Sequence, residues 1–264
     1  RSGIEKEGLR TDENQKLAMT DHPQTLGDRL FHPYIHTDFS EAQPELVTPV
    51  QPNLKQAYKW LEGLHDVLNR ALPENEYLWP YSMPNILPEE EEIPIVRYND
   101  PEAIAYREIL AERYGKKKQT ISGIHFNFSL SETFINALFE AQSEVNDKVD
   151  FVNQLYIKLA GNYLAHLCFL LYLFGASPYA EPDFFDSKSG RDLEKPTDYV
   201  RSLRNSSFGY HNDDEVIVSY DSVEKYIRCH HMYIVLFLYD LLFHWFIYFH
   251  PPINEGFDGN IRKN

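Results

Sequence analysis

Gly3-Ile4-Glu5-Lys6-Glu7-Gly8-Leu9-Arg10 alternates apolar and charged side chains, the pattern of a β-strand. Residues two apart on a strand share a face, so Glu5 and Glu7 point the same way, about 7 Å apart. Two like charges that close repel, and each raises the other's pKa unless a cation sits between them. Hard divalent ions such as Mg²⁺ are held by one or two such carboxylates together with phosphate oxygens. Read alone, the segment admits two accounts: the start of a cation site, or a solvated edge strand with surface acids.

The rest of the chain narrows the choice. Its 264 residues suffice for one large domain or two small ones, and a hydrophobic content of 43% can furnish a real core. The formal charge of −15, with no basic stripe to offset it, argues against nucleic acid as a partner. Cys168 and Cys229 form neither a disulfide framework nor a metal-ligand spacing, and Cys168 is expected to pack inside a helical apolar run. No signal peptide precedes the first strand, and the setting expected is reducing and cytoplasmic. The chain starts at Arg1 without Met and enters a strand at once, so an upstream piece is expected.

After the first strand comes a polar turn at residues 11–16, then a second strand-like stretch at residues 36–47. Leu54, Ala57, Leu61, Leu64, Val67, Leu68 and Leu72 recur at helical spacing over residues 54–72. Trp79–Pro84 is too proline-rich for a regular element, and the acidic run Glu89–Glu92 reads as a solvated loop. Residues 101–114 read as a helix stopped by Gly115. A strand is expected over residues 119–130, and a long helix over 149–174, stopped by Gly175. In the strand 119–130, Gly123, His125 and Asn127 fall on one face; Ile124, Phe126, Phe128 and Leu130 fall on the other, which should pack on helices. His125 on the polar face is either a metal ligand or a hydrogen-bonded structural residue. A further acidic cluster is Asp38-Phe39-Ser40-Glu41-Ala42-Gln43-Pro44-Glu45. Asp38 and Glu45 are an odd number apart, so both reach one site only if the strand bulges or breaks, with Pro44 as the plausible break point. Glu41 and Glu45 would share a face.

Several of these stretches resemble one family. Gly3–Glu7, His22-Pro23 with Leu26-Gly27, Thr37-Asp38-Phe39 with Glu41 and Glu45, and Trp79-Pro80 with Ser82-Met83-Pro84 carry the likeness. So do Arg113-Tyr114-Gly115, Gln119–Ser129, Phe174–Pro178, Ser202-Leu203-Arg204-Asn205, Gly209-Tyr210 and Val218-Ser219-Tyr220. Together they resemble the glutamate–cysteine ligases, most closely the ligase half of the bifunctional glutathione synthetases, in order over about residues 3–227. The resemblance implies an incomplete α+β domain, an antiparallel sheet backed by helices, of the glutamine synthetase-like catalytic superfamily. It implies ATP-dependent joining of the glutamate γ-carboxylate to the cysteine amine through an acyl phosphate. It implies Mg²⁺, with Mn²⁺ an alternative, held by Glu5, Glu7, Asp38, Glu45 and His125. Arg204 and Tyr210 match substrate or transition-state contacts, and Phe39, Tyr106, Leu110, Gln119 and Tyr210 match the cysteine pocket. Gln119 and His125 share a strand face in this reading, and Tyr106 and Leu110 share a helix face.

The likeness stops after Ile227. Met232–Phe249 is almost wholly apolar and aromatic, broken clearly only by Asp240 and His244. Its length approaches a bilayer span, but a central Asp costs about 2.5–3.5 kcal/mol on insertion scales, and a membrane anchor is not expected. The domain reading is therefore residues 1–228 as a partial catalytic domain and 229–264 as a divergent tail, with weak or absent activity. Two other readings stay open: an inactive remnant with an apolar tail, or a related carboxylate–amine ligase with another acceptor. Oligomeric state is not legible.

Overall fold

The structure is a computed structural model and describes residues 1–185, 200–209 and 219–228. The tail 229–264 and Tyr210 lie outside the described residues. The described chain falls into two units. The first takes residues 1–134, 167–185 and 200–209; the second takes 135–166 and 219–228.

The first unit is built on a four-stranded antiparallel sheet in the order β3-β4-β1-β6. The opening segment is β1, Ser2–Glu7. It continues into a separate strand, β2 (Arg10–Asp12), which pairs with β5 (Glu76–Leu78) in a two-stranded ribbon. The stretch expected as one strand over residues 36–47 is two: β3 (Ile35–Thr37) and β4 (Pro44–Val47). The loop 38–43 between them closes on itself, with the Asp38 N–H donating to Gln43 O at 2.9 Å and the Gln43 N–H to Ser40 O at 2.8 Å. Pro44 opens β4, where its missing N–H costs no ladder bond.

Helix α1 (Leu54–Ala71) covers one face of this sheet. Asn53 caps its N-terminus by accepting from the Gln56 N–H, and Pro73 follows its end. Its buried stripe, Ala57, Leu61, Leu64 and Leu68, packs with Ile4, Ile35 and Leu46. Burial of each Leu side chain contributes about 1.5–3 kcal/mol. A second core gathers Leu9, Leu17, Met83, Leu87, Ile93, Ile121, Phe184 and Leu203 beside the ribbon.

Helix α2 (Pro101–Tyr114) has Asp100 as its cap, and it ends at Gly115, whose φ of 83° a side chain would strain. Gly115 also starts α3 (Lys116–Gln119), one helical turn pinned by the buried Lys117, which donates to Asp183 O. The strand expected over 119–130 is consequently shorter: β6 is Ile124–Phe128. Gln119 belongs to the helical turn and not to the strand, so the shared strand face of Gln119 and His125 is overturned.

A helix absent from the sequence reading, α4 (Glu132–Ala141), follows β6 and runs into the second unit. There it leads to α5 (Lys148–Ala165), which Asp147 caps. The Gln142 side chain ties the turn between them, bonding Phe139 O, Val145 O and the N–H groups of Glu144 and Val145. The single long helix expected over 149–174 is broken at His166, whose N–H and ring nitrogen both turn back to Asn162 O. α6 (Leu167–Phe174) and a last short helix, α7 (Pro182–Phe185), belong to the first unit. Cys168 on α6 is exposed, contrary to expectation, and so are Phe169, Tyr172, Leu173 and Phe174 of the same helix. Glu90–Glu92 form a 3-10 turn within the acidic run. No single helix among the described residues is long and apolar enough to cross a membrane.

The face of β6 expected to pack on helices does not. Ile124, Phe126 and Phe128 are 69%, 52% and 50% exposed. They lie on the same sheet face as Ile4 and Leu46, but α1 reaches only the β3-β4-β1 side of it. This difference predicts opposite mutational costs on one sheet face. Leu46→Ala should destabilise the chain by about 2–5 kcal/mol in urea unfolding. Phe126→Thr should stay within about 0.5 kcal/mol of the parent and should reduce aggregation at rising concentration.

Candidate metal and substrate centre

The sheet face opposite α1 gathers the charged residues. Glu5 and Glu7 stand on it because β1 is a regular strand, and Lys6 between them faces the α1 side. β1 is paired on both edges, so its neighbours are fixed by register. Glu5 stands opposite His125 of β6 and Val47 of β4, and Glu7 stands opposite Glu45. His125 and Glu7 are joined, Nε2 to Oε1, at 3.0 Å. The other Glu7 oxygen accepts the Gly123 N–H at 2.7 Å. Asn127, two residues beyond His125, donates to Glu5 Oε1 at 2.7 Å.

Asp38 leaves the end of β3 and turns under this face. Burial is the main reason its pKa is raised to about 6, and the nearby Glu7 carboxylate pushes the same way. Arg107 on α2 opposes the rise; its Nε donates to Asp38 O at 2.6 Å. Glu45 is pushed further, to about 8, by burial and then by Asp38, Glu7 and Glu5. His125 is raised by its bond to Glu7, with burial opposing. The four carboxylates and the imidazole therefore act on one another electrostatically.

Arg204 completes this group from a distant part of the chain. The segment before it is held by a parallel bridge between Ser177 and Ser202 and by the Leu203 N–H donating to Ser177 O. A Cβ on Gly123 would stand 2.5 Å from an Arg204 guanidinium nitrogen and 2.9 Å from His125 Nε2. Only glycine leaves the room in which arginine and histidine meet. Arg204 Nη1 is buried, with no hydrogen-bond partner among the described residues. An unsatisfied buried guanidinium N–H suits a carboxylate or phosphoryl oxygen brought by a substrate.

The donor chemistry fits a hard divalent cation: carboxylate oxygens on one face, with an imidazole beside them. Among the described residues, no three such side chains are drawn together closely enough to bind an ion without rotating. Glu7 is engaged with Gly123 and His125, and Glu5 with Asn127.

The other expected residues are placed as follows. Phe39, in the loop after β3, and Gln119, at the end of α3, are buried. Tyr106 and Leu110 lie one turn apart on α2, the first exposed and the second half-buried, with Arg107 next to Tyr106. Glu41 does not share a face with Glu45. It lies in the 38–43 loop, wholly buried, and its carboxylate accepts the His22 N–H, the Arg97 N–H and the Arg29 guanidinium. The sequence reading missed Arg107, Asn127 and Gly123 as site residues. Asn127 and Gly123 had the right strand parity; Arg107 carried no signal, because an arginine on a surface helix is ordinary.

Two predictions follow from these carboxylates. Glu41→Ala should cost about 3–5 kcal/mol in urea unfolding, since it leaves the His22 and Arg97 N–H groups without their acceptor and Arg29 without its carboxylate. Asp38 and Glu45 have folded pKa values above their unfolded ones of 3.8 and 4.5. The native state therefore binds more protons than the unfolded state, and stability is lost as pH rises from about 4 to about 8. His125, also raised, adds loss in the same direction through its own titration. Thermal melts should fall across this window without divalent ions. Added Mg²⁺ should restore most stability at its upper end, and Glu45→Gln should flatten the slope.

A sequence model described as glutamate-cysteine ligase matches residues 1–235. The glutathione biosynthesis bifunctional protein GshAB of Pasteurella multocida is 48% identical over 226 residues, covering 86% of this chain and 30% of that protein. Its Enterococcus faecalis counterpart is 46% identical over 229 residues, with the same two coverages. The chain thus spans about 30% of the length of these curated relatives. Among solved structures, a bifunctional glutathione synthetase from Pasteurella multocida superposes with a TM-score of 0.79 at 44% identity, over 89% of this chain and 30% of that one. A glutamate–cysteine ligase from Francisella tularensis in complex with AMP superposes with a TM-score of 0.74 at 30% identity, over 86% and 46%. With the family model matching most of its length, this chain belongs to the glutamate-cysteine ligase family.

Proposed function

We propose that this chain carries part of an ATP-dependent ligase that joins the glutamate γ-carboxylate to the amine of cysteine, the first step of glutathione biosynthesis. The observation that carries the reading is the sheet face on which Glu5, Glu7, Glu45 and His125 are set by strand register, with Asp38 beneath. A γ-carboxylate oxygen attacks the terminal phosphorus of ATP and ADP leaves, giving γ-glutamyl phosphate. The cysteine amine attacks the acyl carbon, phosphate leaves with the C–O bond electrons, and the amine loses its proton. Phosphoryl transfer is mostly positioning and charge neutralisation. Mg²⁺, or Mn²⁺, supplies the neutralisation when bound. Glu5, Glu7, Asp38, Glu45 and His125 are the residues that would hold it.

Arg204 serves as the fork for a carboxylate or phosphoryl oxygen, with its buried Nη1 available for the purpose. Asn127 orients Glu5, and Arg107 steadies the loop that presents Asp38. Phe39, Tyr106, Leu110, Gln119 and Tyr210 are proposed for the cysteine side. The AMP held by the Francisella tularensis relative supports a nucleotide partner. We place the fold in the glutamine synthetase-like catalytic superfamily, with residues 1–228 as a partial catalytic domain, 229–264 as a divergent tail, and the cytoplasm as its location.

The test supplies this chain with glutamate, cysteine and Mg-ATP and measures ADP and γ-glutamylcysteine. Expected is slow turnover, about 10²–10³ below that of the same chain extended by its relatives' downstream sequence. Glu5→Gln and Arg204→Ala should abolish what turnover the chain has. Equal turnover of the two lengths would refute the weak-fragment reading, and no ADP from either would refute the ligase reading. Replacing cysteine by other amines identifies the acceptor.

A further inference from the structure

A cavity of about 390 Å³ lies on the first unit, with Tyr98 in its wall next to the carboxylate face. His22, Arg29 and Tyr98 line it, and Asp21, Asp28 and Arg97 also contribute to its wall. Its size lies at the low end of small-molecule sites. Its lining charges are of both signs, two guanidinium groups and two carboxylates, with the buried Glu41 carboxylate behind Arg29. We propose that this cavity binds a small zwitterion, an α-amino acid, by its carboxylate at Arg97, Arg29 and His22 and by its ammonium at Asp21 and Asp28. This does not rest on the ligase reading, since none of these residues belongs to the carboxylate face.

Four observations select that ligand class. The His22 ring bonds Thr37 Oγ1 through Nδ1 at 3.3 Å, while its Nε2 is buried with no partner among the described residues. A buried polar atom without a partner is costly, so a polar group that reached it from the cavity would be favoured. Arg29 uses one N–H on Glu41 and one on Arg97 O, which leaves the rest of its guanidinium to offer. The Arg97–Asp21 pair is solvent-exposed on both sides, at 57% and 71%, so a ligand can open it at little cost and take one end on each partner. One Asp28 oxygen accepts the Leu30 N–H, leaving its other oxygen for a cation. Burial and the adjacent arginines hold the His22 pKa down to about 4, so the ring is neutral and adds no charge to the lining.

The same features disfavour other ligands. A simple anion would meet Asp21 and Asp28, and a simple cation would meet Arg29 and Arg97. A nucleobase would need the Tyr98 ring, which already carries the guanidinium groups of Arg29 at 5.6 Å and Arg107 at 4.8 Å. The cavity is wired to the carboxylate face through Thr37 and through the Tyr98 ring, where the Arg107 that donates to Asp38 O also lies. His22 contacts the Thr37 side chain, and Tyr98 donates to Thr37 O at 2.5 Å, immediately before Asp38. Occupancy would therefore be felt at Asp38.

The test titrates the chain with glycine, and separately with acetate and with methylammonium, following the histidine ring signals by NMR. Glycine should shift the His22 signals saturably at millimolar concentration, and acetate and methylammonium should each do so at least about tenfold more weakly. Arg97→Ala and Asp21→Asn, both at exposed side chains, should weaken glycine about tenfold each with unchanged melting temperature. Arg204→Ala should leave the glycine titration of His22 unchanged, which separates this cavity from the carboxylate face. Equal binding of acetate and glycine would replace the zwitterion by a plain anion site and overturn the proposal. So would a glycine response that survives Arg97→Ala and Asp21→Asn, or no response at all.

Discussion

The pairing of β1 on both of its edges is the constraint on which the rest of the first unit depends. Its ladder to β4 and its ladder to β6 are both antiparallel, and together they fix which residues meet across the sheet. Side chains alternate along a strand, so a slip of one residue would turn Lys6 to the acidic face and Glu5 and Glu7 towards α1. What prevents the slip is on the other side. Ile4 and Leu46 are buried under Leu61, Leu64 and Leu68, and they cannot leave that core without exposing apolar area. The apolar contacts of one face thus hold the charges of the other in register.

Two kinds of buried carboxylate sit within five residues of one another, and they differ in what surrounds them. Glu41 has a donor for each of its oxygens: two backbone N–H groups and a guanidinium. It is a structural tie that joins the segments around His22, Arg29 and Arg97. Asp38 and Glu45 instead face other acids, and their pKa values are raised because burial and like charge both penalise ionisation. Carboxylates with a donor for each oxygen hold a fold together; crowded ones resist ionisation, as Asp38 does even with the Phe39 N–H beside it. Arg107 moderates the repulsion at Asp38 without cancelling it, while Arg204 opposes the charged form of His125.

The surface around β6 follows from the same economy of cover. α1 spans the β3-β4-β1 part of the sheet, and the aromatic side of β6 extends past it, with Phe126 and Phe128 stacked on each other and half exposed. Alternation predicted that Ile124, Phe126 and Phe128 share a face, and they do. What alternation could not say is whether anything lies over that face, because cover is a property of the partner element and not of the strand. The same limit applies to Cys168, whose helix was legible and whose exposure was not.

Local periodicity, read from sequence alone, determined that Glu5 and Glu7 share a face, that His125 and Asn127 share one face of their own strand, and that α1 and α2 are helices, the second stopped by Gly115. These are consequences of backbone geometry, which acts over a few residues. The family resemblance added the names of Asp38, Glu45 and Arg204 without saying how they meet. Only the tertiary structure decided that the 38–43 loop turns Glu41 into the interior and leaves Glu45 on the acidic face. Only it decided that Gln119 ends a helical turn, and that Arg204 reaches His125 over Gly123 from far along the chain. Those outcomes rest on contacts between residues distant in sequence, which no periodicity encodes: the buried Lys117 on Asp183 O, the Ser177–Ser202 bridge, the donors converging on Glu41. Spacing tells which way a side chain points, and packing alone tells what it meets there.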